Sequence, residues 1–214
     1  DEKVSSDFFS DAPTIERYPK EMYYRLLSGE ILPKHINKVL YLDPDILVIN
    51  PLRQLWETDL EGNMIAAASH TGITGITKDI NNIRLGTTHS YFNSGIMLID
   101  LDKARELIHM KDISEALNKY SIQLILPDQD LINLLYGYYI KEVPEELWNY
   151  DTRKYLSYFT KSLSAHDIHW VMKNTSILHF CGRPKPWDEK SDDKFTALYL
   201  DYQTQLERLE ESFN

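Results

Sequence analysis

The chain has 214 residues, 43% hydrophobic and 26% charged, which is enough apolar content for one sizeable core and a single domain. Its net charge of −10 and pI near 5.1 exclude the basic footprint that a sequence-independent grip on nucleic acid needs. The single Cys181 excludes an intramolecular disulfide framework and a multi-cysteine zinc site and points to a reducing compartment, and no apolar run is long enough to span a bilayer.

Asp1 is not a start methionine, and no signal peptide is visible. The chain reaches a helix before any strong strand, so an α/β nucleotide-binding fold would here lack its opening βαβ unit of about 30 residues. Pro19 to Leu27 reads as that helix, with Pro19 in its first turn and Gly29 just past its end. Val39-Leu40-Tyr41-Leu42 is short, apolar and rich in β-branched and aromatic residues, as a buried parallel strand would be. Pro44 cannot donate to a sheet ladder, so the strand should stop there. Asp43 and Asp45 then sit at a strand's carboxyl end, where open α/β sheets bind ligands. Two ionised carboxylates that close repel unless a cation or a shared proton lies between them. A divalent metal site is one reading; an acidic turn after a strand is the plainer one for a lone Asp-x-Asp.

Downstream, Leu52, Leu55 and Trp56 indicate a short helix, and Met64–Ala68 a strand. Residues Thr71 to Thr88, rich in Gly, Thr, Asn and Ile without a clear period, predict a long irregular loop or a broken helix. Gly95–Ile99 is a second buried strand, prefaced by Tyr91-Phe92-Asn93-Ser94, and Asp100 to Tyr120 is helical in two pieces. Pro127-Asp128-Gln129-Asp130 opens a helix, with proline and acids in its first turn. Strands are expected at Tyr138–Val143 and Ser176–Phe180, a helix within Ser164–Lys173 and a polar amphipathic helix over Phe195–Glu211. Strands alternating with helices predict a mostly parallel twisted sheet flanked by helices.

A second informative stretch is His179-Phe180-Cys181-Gly182-Arg183-Pro184-Lys185-Pro186-Trp187. An imidazole beside two carboxylates makes an O,O,N ligand set. Gly182 allows close backbone approach, and Lys185 offers a point charge to a phosphate. The plainer readings are a structural histidine and a solvated lysine. Tyr23, Tyr24, Trp56, Trp148 and Trp170 read as core or rim packing, and the other histidines carry no partnered spacing.

Asp43-Pro44-Asp45, Tyr91-Phe92-Asn93-Ser94-Gly95, Asp128-Gln129-Asp130 and His179-x-x-Gly182-x-x-Lys185-Pro186-Trp187, in that order, resemble glycosyltransferase family 8 from about Tyr18 to Trp187. That family includes bacterial lipopolysaccharide glucosyl- and galactosyltransferases and glycogenin. The resemblance implies an α/β fold of the GT-A type over one catalytic domain, residues 1–214 with 192–214 as a helical segment of it. It also implies a UDP-glucose or UDP-galactose donor, a glycan or lipid-linked glycan acceptor, and retention of anomeric configuration with Mn²⁺; Mg²⁺ is the alternative ion. By motif, Asp43, Asp45 and His179 resemble the metal ligands, Gly182 and Lys185 the diphosphate contacts, and Arg25 a donor-contacting arginine. Asn93 and Ser94 resemble residues lining the sugar, and Asp128 and Gln129 those at its hydroxyls and anomeric carbon; retention commonly needs a carboxylate nucleophile, for which Asp128 and Asp130 are the candidates, whereas in front-face attack Gln129 would stabilise charge. Nothing in the chain matches the family's first strand, which holds the base and ribose.

Two alternatives stand beside this reading: a haloacid-dehalogenase-like phosphatase, which also uses Asp-x-Asp after a strand, and a non-catalytic sugar-nucleotide-binding module. A cytoplasmic location is expected, with peripheral contact at the inner face of a membrane and self-association both compatible.

Overall fold

A computed structural model of the chain describes residues 24–69, 76–120 and 122–213. They divide into two compact units: residues up to Leu42 with Gln54–Val143, and Asp43–Arg53 with Pro144 onward.

The first unit is built on a four-stranded sheet, β1 (Lys38–Leu42), β3 (Ile65–Ser69), β4 (Phe92–Asp100) and β5 (Ile140–Val143), in the order β1-β4-β3-β5; β2 (Ile46–Val48) lies in the second unit. The nine-residue β4 is buried along all but its last position, so its run of Phe, Ile, Met and Leu reflects burial on both faces. It pairs antiparallel with β1 and with β3, and only β3 and β5 are parallel. The sheet is therefore mixed, which corrects the expected mostly parallel sheet and the reading of Val39–Leu42 as a buried parallel strand. Strand β1 is half-buried throughout and lies at the end of the sheet order among the described residues. An apolar run reports burial but not the direction of the neighbouring strand.

Helices α1 (Ser28–Ile31), α2 (Arg53–Trp56), α3 (Ile76–Leu85), α4 (Leu101–Leu107), α5 (Met110–Tyr120) and α6 (Pro127–Tyr136) follow in chain order. Of the two readings of Thr71–Thr88, irregular loop or broken helix, the described part carries a helix, the ten-residue α3; residues 70–75 lie outside the described part. Gly29 falls inside α1, not past a helix end, and residues 19–23 of the predicted helix are likewise outside. Helices α4 and α5 are the two pieces expected between Asp100 and Tyr120. Asp100 caps α4 by accepting from the N–H groups of Asp102 and Lys103, each at 3.0 Å. Pro127 occupies the first turn of α6, where its missing N–H costs nothing. The core joins Leu26, Met64, Ile65, Phe92, Met97, Ile99, Ile113, Leu117, Leu131 and Ile132.

The second unit has a three-stranded sheet in the order β2-β7-β6, with β6 (Tyr150–Asp151) and β7 (Ile177–His179). Around it lie α7 (Glu145–Trp148), α8 (Tyr155–Lys161), α9 (Ile168–Asn174) and α10 (Thr196–Ser212). Tyr150, Tyr158, Val171, Leu178, Phe180 and Phe195 form its core. No helix among the described residues is long and apolar enough to cross a membrane.

Candidate metal and donor site

The second unit assembles the acidic group. Strands β2 and β7 are antiparallel with Ile46 opposite His179, and the Phe180 N–H donates to the Asp45 carbonyl at 2.9 Å. That register sets His179 beside Asp45, across 134 residues of sequence (179 − 45). The imidazole Nε2 lies 3.3 Å from Asp45 Oδ1. One ligand atom each from Asp43, Asp45 and His179 lies within 4.8 Å of the others.

The surroundings fit a cation. His179 is buried, and its Nδ1 meets Asn149 Oδ1 at 2.8 Å. An amide oxygen only accepts, so Nδ1 carries a proton, which leaves Nε2 as the nitrogen whose lone pair would face a bound cation. Two carboxylates and a lone-pair nitrogen that close are a donor set for a divalent ion, and one imidazole among oxygens suits Mn²⁺ better than Mg²⁺. Burial by itself would raise the Asp45 pKa, but hydrogen bonds from His179 and Lys185, and their charges, outweigh it and hold the carboxyl below the usual range.

The loop after β7 closes over the same carboxylate. Lys185 Nζ is paired with Asp45 Oδ2 and donates to the Phe180 carbonyl at 2.8 Å. Gly182 has φ +77°, in the left-handed region, and a Cβ there would lie 2.5 Å from Arg153 Nη1. Arg153 is a residue the sequence reading missed. It grips the fully buried Asp151 with two bonds, Nε to Oδ1 at 2.9 Å and Nη2 to Oδ2 at 2.8 Å, and lays its third nitrogen against Gly182. Its only sequence signal was an acid two residues earlier. The Cys181 thiol is pushed up to about 12, chiefly by burial and then by Asp151, which agrees with a spacer and not a nucleophile.

The first unit brings the other candidates together. Arg25 Nη1 lies 2.9 Å from Asp128 Oδ2 and 3.1 Å from Ser94 Oγ, with its guanidinium 4.7 Å from the Tyr41 ring centre. Gln129 is 5% exposed; its Oε1 accepts from Asn93 Nδ2 at 3.0 Å and from the Ser94 N–H at 3.4 Å. The Gly95 N–H donates to Asn93 Oδ1 at 2.9 Å and so sets which way that amide points.

Asp130 differs from its neighbours. It is wholly buried, and both its oxygens are committed: Arg84 Nη1 and Nη2 at 2.8 and 2.6 Å, the Tyr91 hydroxyl at 2.7 Å, and the Ile125 and Leu126 N–H groups at 2.7 and 2.9 Å. Burial works against its ionisation, yet Arg84, Tyr91 and the two N–H groups hold its pKa below the usual range. Arg84 comes from α3, inside the stretch expected as an irregular loop or a broken helix, and nothing in the sequence paired it with Asp130.

The second unit thus holds a carboxylate-imidazole cluster at a strand junction, with a lysine-bearing glycine loop beside it. Comparison with known proteins makes this specific: the profile of glycosyl transferase family 8 matches residues 1–191, and the chain belongs to that family. General stress protein A of Bacillus subtilis (strain 168) is 29% identical over 206 residues, covering 94% of this chain and 70% of that protein. Lipopolysaccharide 1,2-glucosyltransferase of Escherichia coli is 29% identical over 209 residues, covering 92% of this chain and 59% of that one. Among solved structures, galactosyltransferase LgtC in complex with donor and acceptor sugar analogs superposes with a TM-score of 0.71 at 27% identity, over 92% of this chain and 72% of LgtC. The fold is thus that of LgtC, and the chain spans only part of the length of these relatives.

Proposed function

We propose that the protein is a retaining hexosyltransferase, moving glucose or galactose from a UDP-sugar to a glycan or lipid-linked glycan, with Mn²⁺ held by Asp43, Asp45 and His179. The observation that carries this is the register of β2 against β7, which converges three ligand atoms to within 4.8 Å. Family membership sets aside the phosphatase alternative.

A bound Mn²⁺ supplies Lewis-acid stabilisation of a departing diphosphate. The chain's own residues do the rest. Lys185, with Gly182 leaving the loop backbone open, binds diphosphate oxygens as a point charge. Arg25 and Asp128 orient sugar hydroxyls, Arg25 as donor and Asp128 as acceptor. Asn93, Ser94 and Gln129, already hydrogen-bonded together, form the polar wall at the anomeric carbon. Asp130 is a positioning residue: by holding Ile125 and Leu126 from within α6, it fixes where Asp128 and Gln129 stand.

The test is a screen of UDP-sugars with Mn²⁺, reading released UDP by mass. Turnover of UDP-glucose or UDP-galactose that a chelator stops is expected; a chain that neither binds nor turns over any nucleotide sugar would overturn the reading.

Two substitutions refine it. Lys185→Ala should weaken UDP binding by about 1.5–3 kcal/mol, the worth of a charge-assisted contact. Calorimetry giving equal affinities would remove Lys185 from the diphosphate site. Gln129→Ala should lower turnover about 10- to 100-fold and leave donor affinity within about threefold, because the lost group organises the reacting centre more than the ground state. Equal losses in turnover and affinity would instead make Gln129 a binding residue.

A further inference from the structure

The acidic site carries a cation of its own. Lys185 pairs with Asp45 while its Nζ also donates to the Phe180 carbonyl at 2.8 Å and its backbone N–H to Asp188 Oδ2 at 2.7 Å. The side chains of Lys185 and Asp45 are only 19% and 16% exposed, so this is not a solvated surface pair. Asp45 is also one of the three residues whose ligand atoms converge. One carboxylate is thus shared between a built-in ammonium and any divalent ion the cluster takes up.

We infer that Lys185 competes with the divalent cation for Asp45 while no anion is bound, and that a diphosphate turns the same lysine from competitor into partner. This rests on the metal assignment proposed above. The ammonium offsets part of the negative charge that the cluster offers an arriving cation. Whichever oxygen of Asp45 the cation takes, Lys185 on the same carboxylate stands within a few ångströms of it, and the two positive charges repel. The four-carbon stem lets Nζ leave Asp45 for an arriving anion. A diphosphate supplies one and accepts from the ammonium and the metal together.

The sign of the lysine's effect therefore reverses with the ligand. It opposes the cation alone and favours the cation with a diphosphate, so that metal and nucleotide bind cooperatively. A lysine acting only as a phosphate clamp would leave metal binding in the absence of nucleotide untouched. A lysine acting only as a structural salt bridge would loosen the metal site when removed.

The experiment compares wild type, Lys185→Met, Lys185→Gln and Asp45→Ala as full chains, each checked for folding by circular dichroism. Mn²⁺ alone is titrated and free ion read by electron paramagnetic resonance; UDP affinity is then measured by calorimetry at saturating Mn²⁺. Both lysine variants should bind Mn²⁺ alone roughly three- to tenfold more tightly, the range expected for one part-buried ion pair, and UDP at least about tenfold more weakly. Folded lysine variants that bind Mn²⁺ no tighter than wild type, while Asp45→Ala abolishes that binding, overturn the competition and leave the metal assignment standing. Wild-type Mn²⁺ binding that is absent, or that survives in Asp45→Ala, overturns the metal assignment and the competition with it.

Discussion

Arg84→Met should destabilise the protein by about 3–5 kcal/mol at neutral pH, because it leaves a buried carboxylate without its counter-ion. Asp130 is 0% exposed and takes both terminal nitrogens of Arg84. Methionine keeps much of the aliphatic stem, so the loss reports charge more than packing. The pH dependence separates this from a cavity. In wild type the Asp130 pKa lies below its unfolded value. Its stabilisation is therefore complete above the unfolded pKa of about 3.9 and is lost as pH falls below that towards the folded value. In Arg84→Met the folded-state pKa of Asp130 rises relative to wild type, and protonation relieves the buried charge. The gap between the two proteins should narrow from pH 7 towards pH 4. Urea unfolding at several pH values checks this; a gap independent of pH would make Arg84 a packing residue only. The paired variant Asp130→Asn should remove most of the penalty of Arg84→Met, since it discharges the stranded group.

Asp45→Ala should remove the thermal shift produced by Mn²⁺ with UDP and lower turnover by about a hundred- to a thousandfold or more, the scale for losing a principal electrostatic stabiliser. It takes a ligand atom from the cluster and removes the Asp45 carboxylate from Lys185, whose ammonium keeps the Phe180 carbonyl. Asp45→Asn keeps the shape and an oxygen ligand while discarding the charge, so it should fall between wild type and alanine in Mn²⁺ affinity. Differential scanning fluorimetry with Mn²⁺, with UDP and with both, alongside turnover, measures all three proteins. An undiminished shift in Asp45→Ala would place the metal elsewhere.

Local signals announced the places where the site is built. An apolar run stopped by Pro44 put Asp43 and Asp45 just past β1. Pro127 followed by acids announced the first turn of α6, and with it Asp128 and Gln129. Gly182 three residues beyond His179 marked a loop open to close backbone approach, and the structure gives it a positive φ. These features are readable because capping, proline geometry and glycine freedom act within a few residues of chain. The ordered set of four motifs identified the family for the same reason: each motif is short and contiguous.

What only the tertiary structure decided is long-range. Strand direction was misread because an apolar run records that both faces are covered, not which way the neighbour runs; β4 lies antiparallel to both its partners. The sequence left helix α3 open between an irregular loop and a broken helix because a weak pattern of Ile, Asn and Thr carries little intrinsic preference, and its Arg84 found its partner 46 residues away. The pairing of Lys185 with Asp45 spans 140 residues, and Arg153 reaches Gly182 only because β6 runs parallel to β7 with Asp151 opposite His179. Charges separated that far in sequence are chosen by strand register and burial, because a buried ion must find a counter-ion and the fold determines which ones come within reach.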